Sequence, residues 1–440
     1  ILPHSSNAIL APMAEYPTSH VWSPFTQMKA AVPTLNVRSG SGAVLELQDG
    51  RRLLDCISSW WVTLHGHAQP EIAAAIAAQA QQLEQVLAAG FTHRPAEELA
   101  RRLVDSLPAP LQWVFYSDDG STAVEVALKL AYQFWQNTGE PDRRRFLRLE
   151  GAYHGDTLGA MSLGERSLFT APFVDLLFPA EAVPFPATWE GDDDVEAKEA
   201  QALAHLQGLL AEHPGEYAAM VLEPLVQGAG GMRMCRPQFL VALQALLREH
   251  DVLMIYDEVL TGFGRTGELF ACQKTATQPD IICLAKGLTG GFLPLAATVC
   301  NGRVFDAFYH DDPSKAFYHG HSYTANPLGC AAALASLDLL VAEKYRSLTD
   351  WQREQVTRLN QHERLCRVRR CGTIVAVDVL VDGDEGYLHQ VGSLLRERFL
   401  ARGFLLRPLG NTVYILPPYC IDRTQLSSIY DVLFELLDEL

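Results

Sequence analysis

The sequence predicts an α/β fold with a large, mostly parallel sheet and a second, smaller α+β domain. From residue 70 onward, short apolar runs alternate with helical stretches, which is typical of a parallel sheet covered on both faces. After residue 326 a long Ala/Leu-rich helix leads into shorter strands and helices. We therefore expect an N-terminal segment over 1–69 that completes the small domain, a large domain over 70–335, and a C-terminal small domain over 336–440.

The individual elements follow from start signals and periodicity. Pro70 stands at the first position of an Ala/Gln-rich helix predicted over 70–89. Gly120 opens a helix to residue 135, with an apolar face formed by Val124, Ala127, Leu128 and Ala131. Further helices are predicted over 237–250, 326–343, 389–402 and 423–440. Strands are predicted over 113–116, 146–149, 218–222, 252–256, 281–285 and 295–299. Ligand pockets in such sheets form outside the carboxyl ends of the strands.

Composition narrows the function classes. With 440 residues and a formal net charge of −17, the chain has the length for two domains and no basic stripe for nucleic acid. The Arg143–Arg145 cluster is interpreted as a solvated face. No apolar run approaches the roughly 18 residues of a membrane span. Residues 1–12 lack the basic region of a signal peptide. Met13 is a candidate translation start, and a targeting segment that has been removed is the alternative interpretation. Nine cysteines without a CxxC pair indicate reduced thiols and a cytoplasmic protein.

Lys286 is the first candidate catalytic residue. Lysine is scarce, with seven in the chain, and Lys286 directly follows the apolar run 281–285 and precedes a glycine-rich loop. Burial disfavours an ammonium group at that position, whereas a covalent bond between the lysine and a cofactor removes the charge. The alternative is a lysine whose ammonium group reaches solvent.

Asp257 ends the preceding apolar run, over 252–256. A carboxylate there could keep the nitrogen of a pyridine ring protonated and so make the ring a stronger electron sink. The alternative is an aspartate that caps a loop. Because both residues follow successive strands, Asp257 and Lys286 fit one pocket.

A phosphate site is predicted at residues 117–122, where Gly120 and Ser121 follow a strand and open a helix. Backbone N–H groups and the helix dipole can hold an anion there. Simple N-capping by Ser121 or Thr122 is the alternative. Tyr153, just after another strand, could stack on an aromatic ring, although a single tyrosine often serves packing alone.

Two motifs suggest other chemistry. Gly262-Phe-Gly264-Arg-Thr-Gly267 matches GxGxxG, but five residues separate it from its strand, whereas the dinucleotide-binding turn follows at once. The histidine pairs His65/His67 and His319/His321 lack a matching pair at zinc spacing, so no metal site is expected.

Together these motifs resemble the class III pyridoxal-phosphate aminotransferases, over residues 20–418. The resemblance is based on six stretches of the sequence: Ser58-Ser-Trp60-Trp61, residues 153–161, residues 223–233, Asp257 to Gly267, Lys286 to Gly291, and Arg407-Pro408 followed by residues 414–418. The resemblance implies the type I aminotransferase fold, pyridoxal 5'-phosphate as cofactor, and a homodimer with shared active sites. Within the family, the chain is similar to members that aminate 8-amino-7-oxononanoate in biotin biosynthesis.

The resemblance also implies roles for individual residues. Lys286 would bind the cofactor covalently and shuttle a proton, while Asp257 pairs with the pyridine nitrogen and Tyr153 stacks on the ring. Gly120 and Ser121 would hold the phosphate, with Ser322 contributed by the partner subunit. The substrate-binding residues would be Phe25, Trp60, Trp61, Gly320 and Arg407, of which Arg407 binds the distal carboxylate.

The sequence defines the amino donor less closely than the amino acceptor. Members that use S-adenosylmethionine have Tyr where this chain has Phe25, and Gly-Pro-Thr where it has Gly320-His321-Ser322. Asp119 also replaces the usual Ser before Gly120. S-adenosylmethionine is the expected donor, with L-lysine as the alternative. Another class III enzyme acting on ω-amino acids or diamines, and a non-catalytic protein that retains the fold, are further alternatives.

Overall fold

The computed structural model describes residues 20–30, 34–383, 386 and 389–440. The expectations for residues 1–12 and Met13 lie outside this part of the chain. The strands are β1 (Val37–Ser41), β2 (Val44–Leu47), β3 (Arg52–Asp55), β4 (Leu111–Ser117), β5 (Arg145–Leu149), β6 (Glu181–Val183), β7 (Tyr217–Leu222), β8 (Val226–Gln227), β9 (Arg233–Met234), β10 (Leu253–Asp257), β11 (Ile281–Leu284), β12 (Ala296–Asn301), β13 (Leu365–Cys371), β14 (Ile374–Val379), β15 (Phe404–Leu405) and β16 (Thr412–Ile415).

The helices alternate with these strands through most of the chain. They are α1 (Ser58–Trp61), α2 (Pro70–Ala80), α3 (Arg94–Ser106), α4 (Gly120–Thr138), α5 (Leu158–Ser162), α6 (Val195–Glu212), α7 (Pro237–Glu249), α8 (Ala271–Thr275), α9 (Gly302–Asp306), α10 (Pro327–Leu339), α11 (Ala342–Asn360), α12 (Gln390–Ala401) and α13 (Arg423–Asp438). Short 3-10 helices lie at Met28–Ala30, Ala171–Leu176 and Pro313–Lys315. No helix in the described ranges is long and apolar enough to cross a membrane.

A seven-stranded sheet forms the centre, in the order β4-β12-β11-β10-β7-β5-β6. The pairs from β11 to β6 are parallel, and β12 runs antiparallel to both of its neighbours. The predicted α/β class with a mostly parallel sheet is therefore confirmed. All residues of β7, β10 and β11 are buried, as expected for strands covered on both faces.

Helix α4 covers one face of this sheet. Its predicted apolar face is buried, including Val124, Ala127, Leu128 and Ala131. The helix is capped at its N-terminus by Asp119 and ends at Gly139, which adopts the left-handed conformation that glycine favours. Helices α3, α6 and α7 contribute buried leucines to the core on the opposite face.

The terminal regions combine in a smaller set of sheets. The strand β15 pairs in parallel with β3, so the order β1-β2-β3-β15 joins the N-terminal and C-terminal parts of the chain. Strands β13, β14 and β16 form an antiparallel sheet, against which α11 packs. The sequence interpretation missed α3, α6 and α11 and extended α2 to residue 89. The domain boundaries at 69/70 and 335/336 stay a prediction.

Candidate active site

A cavity of about 740 Å³ lies at the carboxyl ends of β7, β10 and β11. Each of these strands ends in, or is soon followed by, a charged residue that lines the cavity: Glu223, Asp257 and Lys286. This is the edge at which α/β sheets bind ligands. The two residues predicted from strand-end position, Asp257 and Lys286, therefore lie in one pocket.

The amine of Lys286 faces an aromatic wall. Its Nζ lies 5.3 Å from the ring centroid of Trp61, within the range of a cation–π contact. Burial lowers the pKa of Lys286 from its usual value, while the carboxylates of Asp257, Glu223 and Asp119 act in the opposite direction. Because the deprotonated amine is the nucleophilic form, this environment suits a lysine that reacts with a carbonyl group.

Asp257 is held by two donors. Its side chain is buried, its Oδ2 lies 2.8 Å from Nδ1 of His154, and its Oδ1 accepts a hydrogen bond of 3.0 Å from the backbone N–H of Val259. Both interactions fix the orientation of the carboxylate. The alternative interpretation, an aspartate that caps a loop, explains only the bond to Val259.

Glu223 and His154 are functional candidates that the sequence interpretation left out of the site. The buried Glu223 carboxylate accepts hydrogen bonds from the backbone N–H groups of Tyr153 (3.1 Å) and Gly228 (2.8 Å). Burial raises the pKa of Glu223 to about 7, and the nearby Asp257 adds to that effect, whereas His154 opposes it. Glu223 directly follows β7, so the strand-end signal that identified Asp257 was also present here.

The N-terminus of α4 borders the cavity. Asp119, and neither Ser121 nor Thr122, occupies the N-cap position, and the Thr122 side chain takes part in the cap as the second member of a capping box. A Cβ at Gly120 would lie 2.6 Å from Cγ1 of Val259, so this position accommodates only glycine without movement. The hydroxyl of Ser121 lies 2.7 Å from that of Thr157 and accepts a bond from its backbone N–H.

Tyr153 lines the same cavity. Its hydroxyl donates a 3.0 Å hydrogen bond to Oδ2 of Asp156, and burial raises the pKa of the phenol well above its usual value. The ring is partly buried and the hydroxyl is engaged. The side chain therefore presents a neutral aromatic surface to the pocket.

Three of the predicted substrate residues form a separate cluster. Trp60 is 45% exposed, with the ring of Phe25 at 5.9 Å and the Cζ of Arg407 at 5.4 Å from its own ring centroid. Trp61 is buried instead, and its Nε1 donates a 3.0 Å hydrogen bond to the hydroxyl of Tyr414. Of these four residues, Trp61 lines the cavity.

Gly320 and Ser322 lie on an exposed loop outside the cavity lining. The carbonyl oxygen of Ser322 accepts a 2.7 Å hydrogen bond from Nε2 of Gln85. Between them, Nε2 of His321 lies 3.5 Å from Oδ1 of Asp118, which does line the cavity. Within a single chain, therefore, Ser322 does not reach the residues around Lys286.

The two competing motifs have structural roles. In the GxGxxG segment, Arg265 is buried and donates to the backbone oxygens of Pro417 (3.1 Å) and Trp61 (3.4 Å), so the loop packs inside the protein. His65 contacts Ser336, and His67 contacts Asp55. Within the described ranges, no three His, Cys, Asp or Glu residues are grouped to hold a metal ion.

Comparison with known proteins agrees with this geometry. Residues 26–437 match the aminotransferase class-III family. The chain is 56% identical to the adenosylmethionine-8-amino-7-oxononanoate aminotransferase of Synechococcus elongatus, over 96% of this chain and 99% of the relative. The crystal structure of the enzyme of that name from Methanocaldococcus jannaschii has a TM-score of 0.88 at 35% identity and covers 96% of this chain and 97% of its own.

A further solved structure extends the comparison to another activity. An amine transaminase from an uncultivated Pseudomonas species, in its PLP-bound form, has a TM-score of 0.88 at 32% identity, with 95% of this chain and 98% of its own covered. The expected fold and family resemblance are thus confirmed. The chain belongs to the class III aminotransferase family.

Proposed function

We propose that this protein transfers an amino group to 8-amino-7-oxononanoate, giving 7,8-diaminononanoate for biotin synthesis, with pyridoxal 5'-phosphate as cofactor and S-adenosylmethionine as donor. The observation that carries the proposal is the placement of Lys286 and Asp257 in one cavity at the ends of adjacent strands. The named relatives supply the acceptor, because those at 56% and 35% identity bear the name of this reaction.

The residues present fit pyridoxal phosphate. The cavity offers an amine of lowered pKa at Lys286, a buried carboxylate at Asp257 on the adjacent strand, and a glycine at the N-terminus of the 19-residue helix α4. The cofactor carries an aldehyde, a pyridine nitrogen and a phosphate, which match these three groups in that order. Lys286 would hold the aldehyde carbon, Asp257 the ring nitrogen, and Gly120 with Ser121 the phosphate.

Bound cofactor supplies an electron sink for the carbon from which a proton is removed. The Nζ of Lys286 is placed to accept that proton and to return it in each half of the reaction, because its lowered pKa favours the free amine. The carboxylate of Asp257 would pair with the ring nitrogen, and its negative charge would favour a proton there. Tyr153 and Trp61 supply aromatic surfaces that exclude water around the amine.

Arg407 is proposed to bind the distal carboxylate of the acceptor. A guanidinium group can donate two parallel hydrogen bonds to a carboxylate, which fixes both position and orientation. Arg407 contacts Trp60, and Trp60 contacts Phe25. These three residues form one aromatic-cationic cluster next to Trp61. This cluster suits a substrate with an aliphatic chain and a terminal carboxylate.

A homodimer with shared active sites is part of the proposal. Large apolar side chains are exposed on three segments, 87–91, 168–176 and 309–323, and such patches are typical of protein interfaces. The last of these segments carries Ser322, which we propose reaches the phosphate site of the partner subunit, and Gly320, which we propose binds substrate. A cytoplasmic location is also proposed, since all nine cysteines are free thiols.

Half-reaction spectra test the reaction and its donor. Purified yellow holoenzyme is mixed separately with S-adenosylmethionine and with L-lysine, and the loss of visible absorbance is followed before acceptor is added. Bleaching by S-adenosylmethionine, followed by recovery with 8-amino-7-oxononanoate, is the expected result. Bleaching by lysine alone would replace the donor and direct attention to Phe25, His321 and Ser322.

Two further outcomes would overturn the proposal. Bleaching by ω-amino acids or diamines without recovery on the oxononanoate would assign the chain to another class III activity. Thermal stabilisation by a nicotinamide dinucleotide, without any by pyridoxal phosphate, would indicate that the GxGxxG segment had been misinterpreted.

A further inference from the structure

The turn that carries Trp60 and Trp61 has an unusual backbone. Ser58, Ser59 and Trp61 have φ values of 53°, 57° and 68°, a region that residues other than glycine seldom adopt. Three such residues in four positions persist only where the surroundings hold them, and backbones of this kind concentrate at functional sites. Something outside the turn must therefore fix its conformation.

Asp55 provides that support. Its side chain is fully buried, and its Oδ1 accepts a hydrogen bond of 3.1 Å from the backbone N–H of Ile57. Its Oδ2 accepts bonds from the backbone N–H of Ser59 (2.7 Å) and from the hydroxyl of Ser59 (3.1 Å). One carboxylate thus binds both the entry and the middle of the turn.

His67 completes this arrangement. Its Nε2 lies 3.0 Å from Oδ2 of Asp55, and because a carboxylate only accepts, this nitrogen must carry the proton. The backbone N–H of His67 donates a 2.7 Å bond to the oxygen of Gly42, which ties His67 to the loop between β1 and β2. The buried carboxylate of Asp55 therefore has four donors, one on Oδ1 and three on Oδ2.

The supported turn presents two different surfaces. Trp61 faces Lys286 in the cavity, whereas Trp60 contacts Phe25 and Arg407 outside it. A rotation of the backbone at Ser59 would displace both indole rings together. The conformation of this turn therefore controls the distance between the reacting amine and the carboxylate-binding cluster.

We propose that Asp55, oriented by His67, is a positioning residue that sets acceptor affinity by holding Trp60 and Trp61 in place. This inference rests on the proposed function, since the acceptor is the oxononanoate. It does not assign Asp55 a chemical step, because its carboxylate is fully buried beneath the turn and is not part of the cavity lining.

The test compares four replacements at these two positions in the holoenzyme. Asp55→Ala removes every acceptor, and we expect the acceptor KM to rise about tenfold or more while kcat falls about twofold or less. Asp55→Asn keeps one acceptor oxygen but places an amide donor against an N–H group, so an intermediate rise is expected. His67→Phe removes one donor and should resemble Asp55→Asn, whereas His67→Gln, which keeps an N–H, should restore affinity.

Two other measurements separate positioning from general loss of stability. Near-ultraviolet circular dichroism and tryptophan fluorescence should change in Asp55→Ala and His67→Phe, because both indole rings are released. Leu433→Ala, a buried leucine in α13 far along the chain from the turn, should lower the melting temperature and leave the acceptor KM unchanged.

The outcomes are distinct. Unchanged acceptor KM and unchanged tryptophan spectra in Asp55→Ala would overturn the inference, as would an equal rise in KM in Leu433→Ala. If Asp55→Ala does not fold, the pair His67→Phe and His67→Gln decides by the same readouts. If wild-type protein does not aminate the oxononanoate, the proposed function fails, and the spectra still report whether Asp55 holds the turn.

Discussion

The imidazole Nδ1 of His154 lies 2.8 Å from Oδ2 of Asp257, and both side chains are buried. Because a carboxylate can only accept, Nδ1 carries the proton and donates it to this bond. The other ring nitrogen, Nε2, is buried and has no hydrogen-bond partner among the described residues. His154 therefore donates to Asp257 alone among the described residues, and this bond orients the carboxylate with which the pyridine nitrogen would pair.

Replacing His154 with Phe should impair turnover without removing Lys286 or Asp257. The change leaves Oδ2 of Asp257 buried without its donor, which disfavours the charged carboxylate. A hydrogen bond to a charged group contributes about 1.5–3 kcal/mol, so kcat/KM should fall about ten- to hundredfold. Steady-state kinetics and the affinity for added pyridoxal phosphate measure the effect.

The matched variant for this experiment is His154→Asn, whose amide nitrogen can take the place of Nδ1 as a donor. It should recover most of the lost kcat/KM. Equal activity in His154→Phe and the wild type would mean that the bond between His154 and Asp257 has no part in the reaction.

Lys286→Ala should abolish turnover and the yellow absorbance of the bound cofactor. Among the described residues, Lys286 is the one lysine that lines the cavity, and a methyl group cannot act as nucleophile or general base in its place. Lys344→Ala, at an exposed position in α11, serves as the control and should keep both properties. Retained turnover in Lys286→Ala would contradict the assignment, and an unaltered cellular phenotype would favour a non-catalytic role.

The strands and their terminal residues were predictable because the signal is local. A buried strand such as β10 or β11 is a continuous apolar run, and the charged residue after it is read directly from the sequence. The placement of Asp257 and Lys286 in one pocket then follows from the parallel arrangement. Glu223 follows β7 in the same way, so the same rule predicts its place in the cavity.

Contacts between distant segments were not predictable in this way. The pairing of His154 with Asp257 joins positions 103 apart, and the bond between Trp61 and Tyr414 joins positions 353 apart. Neither contact can be predicted from hydrophobic periodicity or from secondary-structure propensity. Helix α11 was missed for a different reason, since it is rich in charged residues and its few buried positions, such as Leu348 and Leu359, form a narrow stripe.

Arg407→Ala should raise the KM for the oxononanoate more than it lowers kcat. The variant loses the guanidinium group that we propose binds the distal carboxylate, an interaction worth up to about 3 kcal/mol. Arg407→Lys keeps the charge without the two parallel donors, so its KM for the oxononanoate should lie between those of the wild type and Arg407→Ala. Arg353→Ala, at an exposed position in α11, is the control. An unchanged KM in Arg407→Ala would remove this residue from the acceptor site.

His65 should make the folded protein sensitive to mild acid. Burial lowers the pKa of His65 to about 4, with smaller contributions from the charges of Lys344 and Arg265, and its Nε2 lies 3.0 Å from the hydroxyl of Ser336. In the unfolded chain the imidazole titrates near its usual value of about 6.5. Between these two values the unfolded state binds a proton that the folded state does not.

The free energy of unfolding should therefore be highest above about pH 6.5 and decrease as the pH falls toward 4, by about 3 kcal/mol from this one group. His65→Gln removes the titration, so its unfolding free energy should decline less steeply than that of the wild type over the same interval. His205→Gln, a histidine at an exposed position in α6, should follow the wild-type slope. Denaturant unfolding at several pH values between 7 and 4.5 measures the difference, and parallel slopes for wild type and His65→Gln would show that His65 is protonated equally in both states.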